Sequence, residues 1–254
     1  MALFGLFRNS ETLYFPGCFT GSFLKSKIEN YTKILKRLKI DFRLYKEKEF
    51  VCCGGLLEQN GYEKQFRKNA RENLEFLNKK GIKKIITNCP LCCSIFKNEY
   101  KNVMPDWNIE TEFILVTIFN KLFENNSNNS IIKNYSNETV AYYDSCYLAR
   151  HLKIYDAPRE LLKLFGYQVI ELPKNKEETL CCGSCGNFFH LNQEFSNKIA
   201  KDFIVMLQRR KIKKIITADP MAYWHLKENL EALSVNELQV IEFSDIICHA
   251  LGIK

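Results

Sequence analysis

Five cysteines stand at three widely separated stations in the first half of the chain. Cys18 is followed after 33 residues by the adjacent pair Cys52 and Cys53, and after 35 more by Cys89 and Cys92. The second half repeats the first two stations: Cys146 is followed after 34 residues by Cys181 and Cys182. At the third, 36 residues further on, Asp219 and Ala222 stand where the closing cysteines would be. Soft thiolates drawn from remote stretches suit a metal ion or an iron–sulfur cluster, because either needs several such ligands converging on one point. A disulfide framework fits poorly. The total of 11 cysteines is odd, no secretory leader is read at the start, MALFGLFRNS, and adjacent cysteines hardly meet disulfide geometry across a trans peptide.

The second ladder leaves alternatives open. Cys146, Cys181, Cys182, Cys185 and Asp219 are the candidate ligands there. Three thiolates and a carboxylate could make a four-coordinate zinc site or a cluster with one exchangeable iron, or the site could hold nothing. Asp219 precedes Pro220, so it could equally cap a helix. Cys185 could supply the missing thiolate or fill space as a small buried side chain. Cys93 is expected on the outward side of a helix start, as a bystander, and Cys248 in the core, on an amphipathic C-terminal helix. Arg150 and His151, close after Cys146, could contact an anionic substrate or face solvent. His225 could be a ligand or proton donor, or pack beside Trp224. His190 and His249 have no informative context. No Ser–His–Asp arrangement, phosphate loop or dinucleotide fingerprint is present.

The elements that must position these residues come in two copies. IKKIITNCPLC at 82–92 matches IKKIITADPMA at 212–222, YFPGC at 14–18 matches YYDSC at 142–146, and VCCGG at 51–55 matches LCCGS at 180–184. Nearly constant offsets at three anchors mark an internal duplication. The halves are 10–123 and 138–254, with the Asn- and Ser-rich stretch 124–137 as linker. TLYF (12–15), FRLYK (42–46), KIIT (84–87) and TEFILV (111–116) read as strands in the first half. TVAYYDS (139–145), YQVIEL (167–172), KIIT (214–217) and VIEF (240–243) read as strands in the second. Leu24, Ile28, Tyr31, Leu35 and Leu38 form one helical stripe; Tyr62, Phe66, Ala70, Leu74 and Leu77 form another, stopped by Gly81. Phe195, Ile199, Phe203 and Met206 are read as its counterpart. Strand–helix alternation predicts an α/β fold of two tandem lobes, each a small, mainly parallel sheet covered by helices. Cys18, the Cys52–Cys53 pair and Cys89 each follow a predicted strand, and ligands gather beyond the carboxyl ends of parallel strands. Gly54 and Gly55 are read as letting the backbone bend tightly there.

Composition narrows the classes further. With 46% hydrophobic residues the chain has material for real cores. Its longest apolar run, FILVTIF at 113–119, is too short to span a bilayer, and the chain reads as cytoplasmic. The net charge of +8 comes from scattered lysines rather than an arginine-rich stretch. That points to solvated helix faces, an anionic substrate or an acidic partner, and away from nucleic acid.

A lone Cys, then CCG, then CPxC, arranged in tandem, resembles the cysteine-rich CCG domain. That family includes the B and D subunits of heterodisulfide reductase and iron–sulfur subunits of lactate, glycolate and glycerol-3-phosphate oxidation systems. YDAPRELL at 155–162 and LCCGSCGNF at 180–188 extend the likeness over roughly residues 12 to 250. The resemblance implies that Cys18, Cys52, Cys53, Cys89 and Cys92 hold an iron–sulfur cluster, 4Fe–4S and noncubane in form. It implies an oxidoreductase component similar to the B subunit of heterodisulfide reductase, acting within a complex and passing electrons to a disulfide or similar acceptor. One alternative is an electron-transfer subunit of a hydroxyacid dehydrogenase complex; another is a zinc-stabilised, non-catalytic assembly subunit. The chain lacks a ferredoxin motif and a flavin fingerprint, so a ferredoxin-like or flavoprotein partner is expected to supply electrons.

Overall fold

Both KIIT segments are runs of β-branched residues, stiff at χ1 and suited to a pleated surface. In the computed structural model, which describes residues 10–45, 52–124, 130–185 and 188–254, each forms an inner strand of a four-stranded parallel sheet. The chain divides into two units, Met1–Leu122 and Phe123–Lys254.

Unit one runs β1 (Thr12–Tyr14), α1 (Cys18–Phe23), α2 (Lys25–Arg37), β2 (Arg43–Leu44), α3 (Gly55–Gln59), α4 (Glu63–Lys79), β3 (Lys84–Thr87), α5 (Pro90–Ser94), a wide π turn (Ile95–Glu99), α6 (Tyr100–Val103), β4 (Glu110–Phe113) and α7 (Ile114–Phe123). Its strand order is β2-β1-β3-β4, all parallel, with Leu13 opposite Ile85 and Tyr14 opposite Ile86. Unit two runs β5 (Thr139–Tyr143), a π turn (Tyr147–His151), α8 (Asp156–Leu164), β6 (Gln168–Glu171), α9 (Phe188–Leu191), α10 (Gln193–Arg209), β7 (Lys214–Thr217), α11 (Pro220–Ala232), β8 (Gln239–Glu242) and α12 (Phe243–Leu251). Its order is β6-β5-β7-β8, again all parallel.

This order positions the cysteines. The chain leaves β1 to one side to make β2 and returns to the other side to make β3. The crossovers therefore diverge at the carboxyl ends of β1 and β3, and such a switch point opens a crevice. Cys18 follows β1, Cys52 and Cys53 follow β2, and Cys89 follows β3. Behind the crevice, alternation along β1 sends Leu13 and Phe15 to one face, where they join Phe66, Ala70, Leu74, Leu77, Ile85 and Phe96 in the core.

The helical stripe of α4 is buried from Phe66 to Leu77, but Tyr62 lies exposed just ahead of the helix. Gly81 follows the helix end at φ 66°, the left-handed stop expected of it. TEFILV ends as a strand at Phe113, and Ile114 opens α7, which buries Ile114, Leu115, Ile118 and Leu122 at helical spacing. VIEF likewise turns helical at Phe243. Only Arg43 and Leu44 of FRLYK form a strand, and its Lys46 lies outside the described residues. In α10 the stripe is turned by one residue from the expectation. Phe195 is exposed and Ile199 and Met206 are half-buried, while Ser196, Ala200, Phe203, Ile204 and Leu207 face the core. Ser196, Ala200, Ile204 and Leu207 stand 130 positions after Phe66, Ala70, Leu74 and Leu77, the offset of the KIIT segments. Matching Phe195 with Phe66 by residue type concealed that Ser196 holds the place of Phe66. The later part of the Asn- and Ser-rich stretch is docked on unit two, where Lys133 N–H donates to Ala250 O and Ser136 N–H to Phe165 O. Among the described residues no helix is long and apolar enough to cross a membrane.

Candidate metal centre

In unit one the thiols of all three stations belong to one connected network. Cys18 and Cys52 stand 3.7 Å apart, sulfur to sulfur. Cys52 also meets Cys53, Cys53 meets Cys92, and Cys92 meets Cys89. Hydrogen bonds from Cys18 and Cys53, with help from the Gly54 and Cys53 N–H groups, hold the Cys52 thiol down to about 3. Cys18, Cys53 and Cys92 are pushed up, first because each donates to a neighbouring sulfur and then by burial. Several sulfurs sharing protons around a thiolate are a donor set that a cation completes. Cys18 is exposed at one end of the network, whereas Cys53, Cys89 and Cys92 are buried.

Local chemistry builds this arrangement. Cys89 caps α5, its sulfur accepting the Cys92 N–H at 3.4 Å, with Pro90 as the first helical residue. Gly54 adopts φ 77°, a conformation that favours glycine. Gly55 answers to a different need: a Cβ there would meet Leu91 at 3.0 Å, so packing rather than the site requires it. The Tyr100 hydroxyl lies 3.0 Å from both Cys53 O and Asn69 Oδ1 and accepts from Asn73 Nδ2 at 2.7 Å. Asn73 also donates to Cys52 O at 3.1 Å. These buried polar groups fix the backbone of the cysteine pair. Hydrophobic periodicity passed over them; the one signal available was a pair of asparagines, Asn69 and Asn73, four apart on the apolar face of α4. Cys93 is not outward-facing. It is 1% exposed because α5 packs on β4, and burial pushes its thiol up to about 12.

Unit two assembles a different set. The sulfurs of Cys146, Cys181 and Cys185 all lie within 4.8 Å of one another. Cys181 is held down to about 2 by hydrogen bonds from Cys146 and Cys185 and by the Gly183 and Cys185 N–H groups. Donation to Cys181 pushes Cys146 up to about 12. Cys182, its neighbour in the ladder, turns into the core, where its sulfur meets Ser184 Oγ at 3.3 Å and burial pushes it up to about 11. Asp219 caps α11. Its Oδ1 accepts the Met221 and Ala222 N–H groups at 3.0 and 3.4 Å, and its Oδ2 accepts the Ser145 hydroxyl at 2.7 Å. Burial raises its carboxyl despite those bonds. The Tyr143 hydroxyl donates to Leu180 O and accepts the Cys182 N–H, a role that Tyr100 fills in unit one from another element. Cys248 is buried on α12.

The other candidates find their partners in groups other than these sulfurs. Arg150 is exposed and donates to Thr179 O at 2.6 Å. His151 is exposed and stacks on Tyr147. His225 is buried in the space that Ser196 leaves where unit one has Phe66; its Nε2 lies 3.2 Å from Ser196 Oγ. Burial lowers the His225 pKa, so the native state disfavours its proton. Its contribution to stability is complete above the unfolded value, ~6.5, and is lost as pH falls below it. His225→Gln is therefore expected to flatten the decline of thermal stability as pH falls below about 6.5; an unchanged decline relative to the parent chain would show that this histidine does not contribute.

The cysteine-rich domain model, CCG, matches residues 12–97 and 140–227, well over half of the chain. The Probable iron-sulfur-binding oxidoreductase FadF of Bacillus subtilis (strain 168) is 32% identical over 67% of this chain and 23% of its own length. The EtfAB:quinone oxidoreductase of Syntrophomonas wolfei subsp. wolfei is 32% identical over 72% of this chain and 25% of its own. The D subunit of the dihydromethanophenazine:CoB--CoM heterodisulfide reductase of Methanosarcina mazei is 26% identical over 96% of this chain and 60% of its own. The chain thus spans between about a quarter and three-fifths of these relatives. Among solved structures, glutamate racemase from Francisella tularensis subsp. tularensis SCHU S4 aligns over 94% of this chain and 78% of its own at 14% identity. Its TM-score of 0.39 is too low to bear on function.

Proposed function

Because this chain belongs to the cysteine-rich CCG domain family, whose relatives here are iron–sulfur oxidoreductases and their subunits, we propose that it is an electron-carrying subunit of a cytoplasmic oxidoreductase complex. Cys18, Cys52, Cys53, Cys89 and Cys92 would hold an iron–sulfur cluster, noncubane 4Fe–4S in form. The observation that carries this reading is the connected network of all five thiols at the switch point of one sheet. The donor set fits: it is all sulfur, and five thiols are more than the four ligands one tetrahedral ion takes. When bound, such a cluster supplies one-electron steps to chemistry that needs two.

The protein's own residues then have distinct tasks. Cys53, Cys89 and Cys92 anchor the buried side, and the Tyr100–Asn69–Asn73 network keeps the cysteine pair in place. Exposed Cys18 marks the edge where a disulfide or similar acceptor approaches. Electrons would come from a ferredoxin-like or flavoprotein partner. A second reading, electron transfer without disulfide chemistry, draws support from the likeness to the EtfAB:quinone oxidoreductase.

Anaerobically purified chain is expected to be brown, with ~4 iron and ~4 acid-labile sulfide per chain and an electron paramagnetic resonance signal on one-electron oxidation or reduction. Colourless protein carrying zinc and no sulfide would overturn this reading in favour of a zinc-held assembly subunit. Reduction of a small disulfide by dithionite-reduced protein separates the two redox readings.

A further inference from the structure

We propose that unit two binds a single thiophilic divalent ion of the zinc class through Cys146, Cys181 and Cys185, with a fourth position left to water. The ion displaces the thiol protons to solvent as it binds. Cys185 lies outside the cysteine ladder, and its inclusion, with the exclusion of Cys182 and Asp219, defines a centre different in kind from that of unit one.

Spacing is the first argument. Thiolates on one tetrahedral zinc ion lie ~3.8 Å apart, given a metal–sulfur bond of ~2.3 Å. Three sulfurs mutually within 4.8 Å reach that spacing through small side-chain adjustments. Among the described residues this is the group of side chains close enough to share one ion. The second argument is the loop. Cys181 and Cys185 are separated by three residues, within the short spacing by which one turn of chain grips a single zinc ion. Gly183 makes the turn at φ 92°, and its N–H points at the Cys181 sulfur from 3.3 Å. An N–H donor behind a ligating sulfur fixes its orientation and tempers its charge.

The third argument is what the remaining ladder positions do. Cys182 is fully buried beside Ser184. Both Asp219 carboxylate oxygens are taken, one by the helix start and the other by Ser145. Ala222 has no donor atom. Three sulfurs on one side of an ion satisfy zinc, which accepts three protein ligands and a solvent molecule.

The test uses the full chain, purified anaerobically with zinc supplied, and measures zinc and iron together. About one zinc per chain is expected in the parent. Cys185→Ser is expected to lose most of it, while Cys182→Ala and Asp219→Asn keep it; iron should be the same in all four proteins. Circular dichroism establishes that each variant is folded. Cobalt(II) titration of the zinc-free parent gives an independent readout, because sulfur-to-cobalt absorption should saturate at about one equivalent and be absent from Cys185→Ser. Zinc retained in Cys185→Ser would overturn the proposal. So would zinc lost from folded Cys182→Ala or Asp219→Asn, or iron lost from Cys185→Ser, which would place a cluster in unit two. Metal-free protein lighter by two hydrogens would assign these thiols to a disulfide instead. A chain without any iron would contradict the proposed redox role and leave this zinc measurement intact.

Discussion

Replacing Arg159 with alanine is expected to lower the stability of unit two by about 3–5 kcal/mol, the cost of stripping one partner from a buried ion pair. The guanidinium lays two parallel bonds on Asp144, Nη1 to Oδ1 at 2.9 Å and Nη2 to Oδ2 at 2.7 Å. Its Nε and Nη2 reach Glu171 at 2.6 and 2.7 Å. The Asp144 side chain is 1% exposed, so without Arg159 a buried carboxylate would keep only the Lys176 N–H as a partner. The effect should also reach the sulfurs. Asp144 immediately precedes Ser145 and Cys146, its Oδ2 takes the Lys176 N–H, and its backbone oxygen takes the Thr179 hydroxyl at 2.7 Å, two residues before Cys181. Arg159 thereby ties the Cys146 loop to the Cys181 loop. A fall in melting temperature on the order of 10 °C is expected by circular dichroism. Arg159→Lys should recover only part of it, since an ammonium cannot reproduce the fork. Arg159→Met with Asp144→Asn should recover more than Arg159→Met alone, because no charge is then stranded. Unit one solves the same problem differently: Pro16 stands at the matching position, so no charge there needs a partner. A loss below about 1 kcal/mol in Arg159→Ala would mean the pair is solvated and does not hold the loops.

The same contrast between units explains which features could be read from the chain alone. The KIIT strands, the cysteine stations and the Asp219–Pro220 helix start were legible because each rests on local chemistry: β-branching, ligand type, capping. Parallel sheets followed from strand–helix alternation, and the meeting of remote cysteines followed from parallel sheets. What was not legible depends on packing between distant segments. Ile114 to Val116 are good strand residues, yet they sit in α7 because the sheet ends at Phe113 and their apolar faces are buried by helical spacing. Cys93 is enclosed because α5 lies on β4. The choice of Cys185 over Cys182 depends on which way the turn at Gly183 aims two side chains three positions apart. The exchange of Phe66 for Ser196, which makes room for His225, shows only once α4 and α10 are placed in register.

Gly17→Ala is expected to deplete the iron of the cluster proposed for unit one although every thiol remains in the chain. Gly17 has φ 84° and ψ 153°, a combination reserved in practice for glycine that costs a side-chain-bearing residue about 1–3 kcal/mol. A Cβ there would stand 3.0 Å from Cys89 Cβ and 3.3 Å from Cys92 Sγ. Forcing a methyl group into that space adds about 1–3 kcal/mol of overpacking, and the atoms able to yield are those of the two closing cysteines. Strain and ligand displacement therefore fall on the same point. Unit two is the natural counterpart. Ser145 stands where unit one has Gly17, and it coexists with Asp219 and Ala222 in place of Cys89 and Cys92. There the added side chain is accommodated, its hydroxyl donating to Asp219 at 2.7 Å. The three exchanges are one change physically: once the closing thiols are absent, the space kept open for them can be filled. Iron and visible absorption of Gly17→Ala should fall several-fold, close to the level of Cys89→Ser, while Ser145→Gly leaves iron unchanged. Full iron with the parent spectrum in Gly17→Ala would show that Cys89 and Cys92 do not ligate from the positions they occupy beside Gly17.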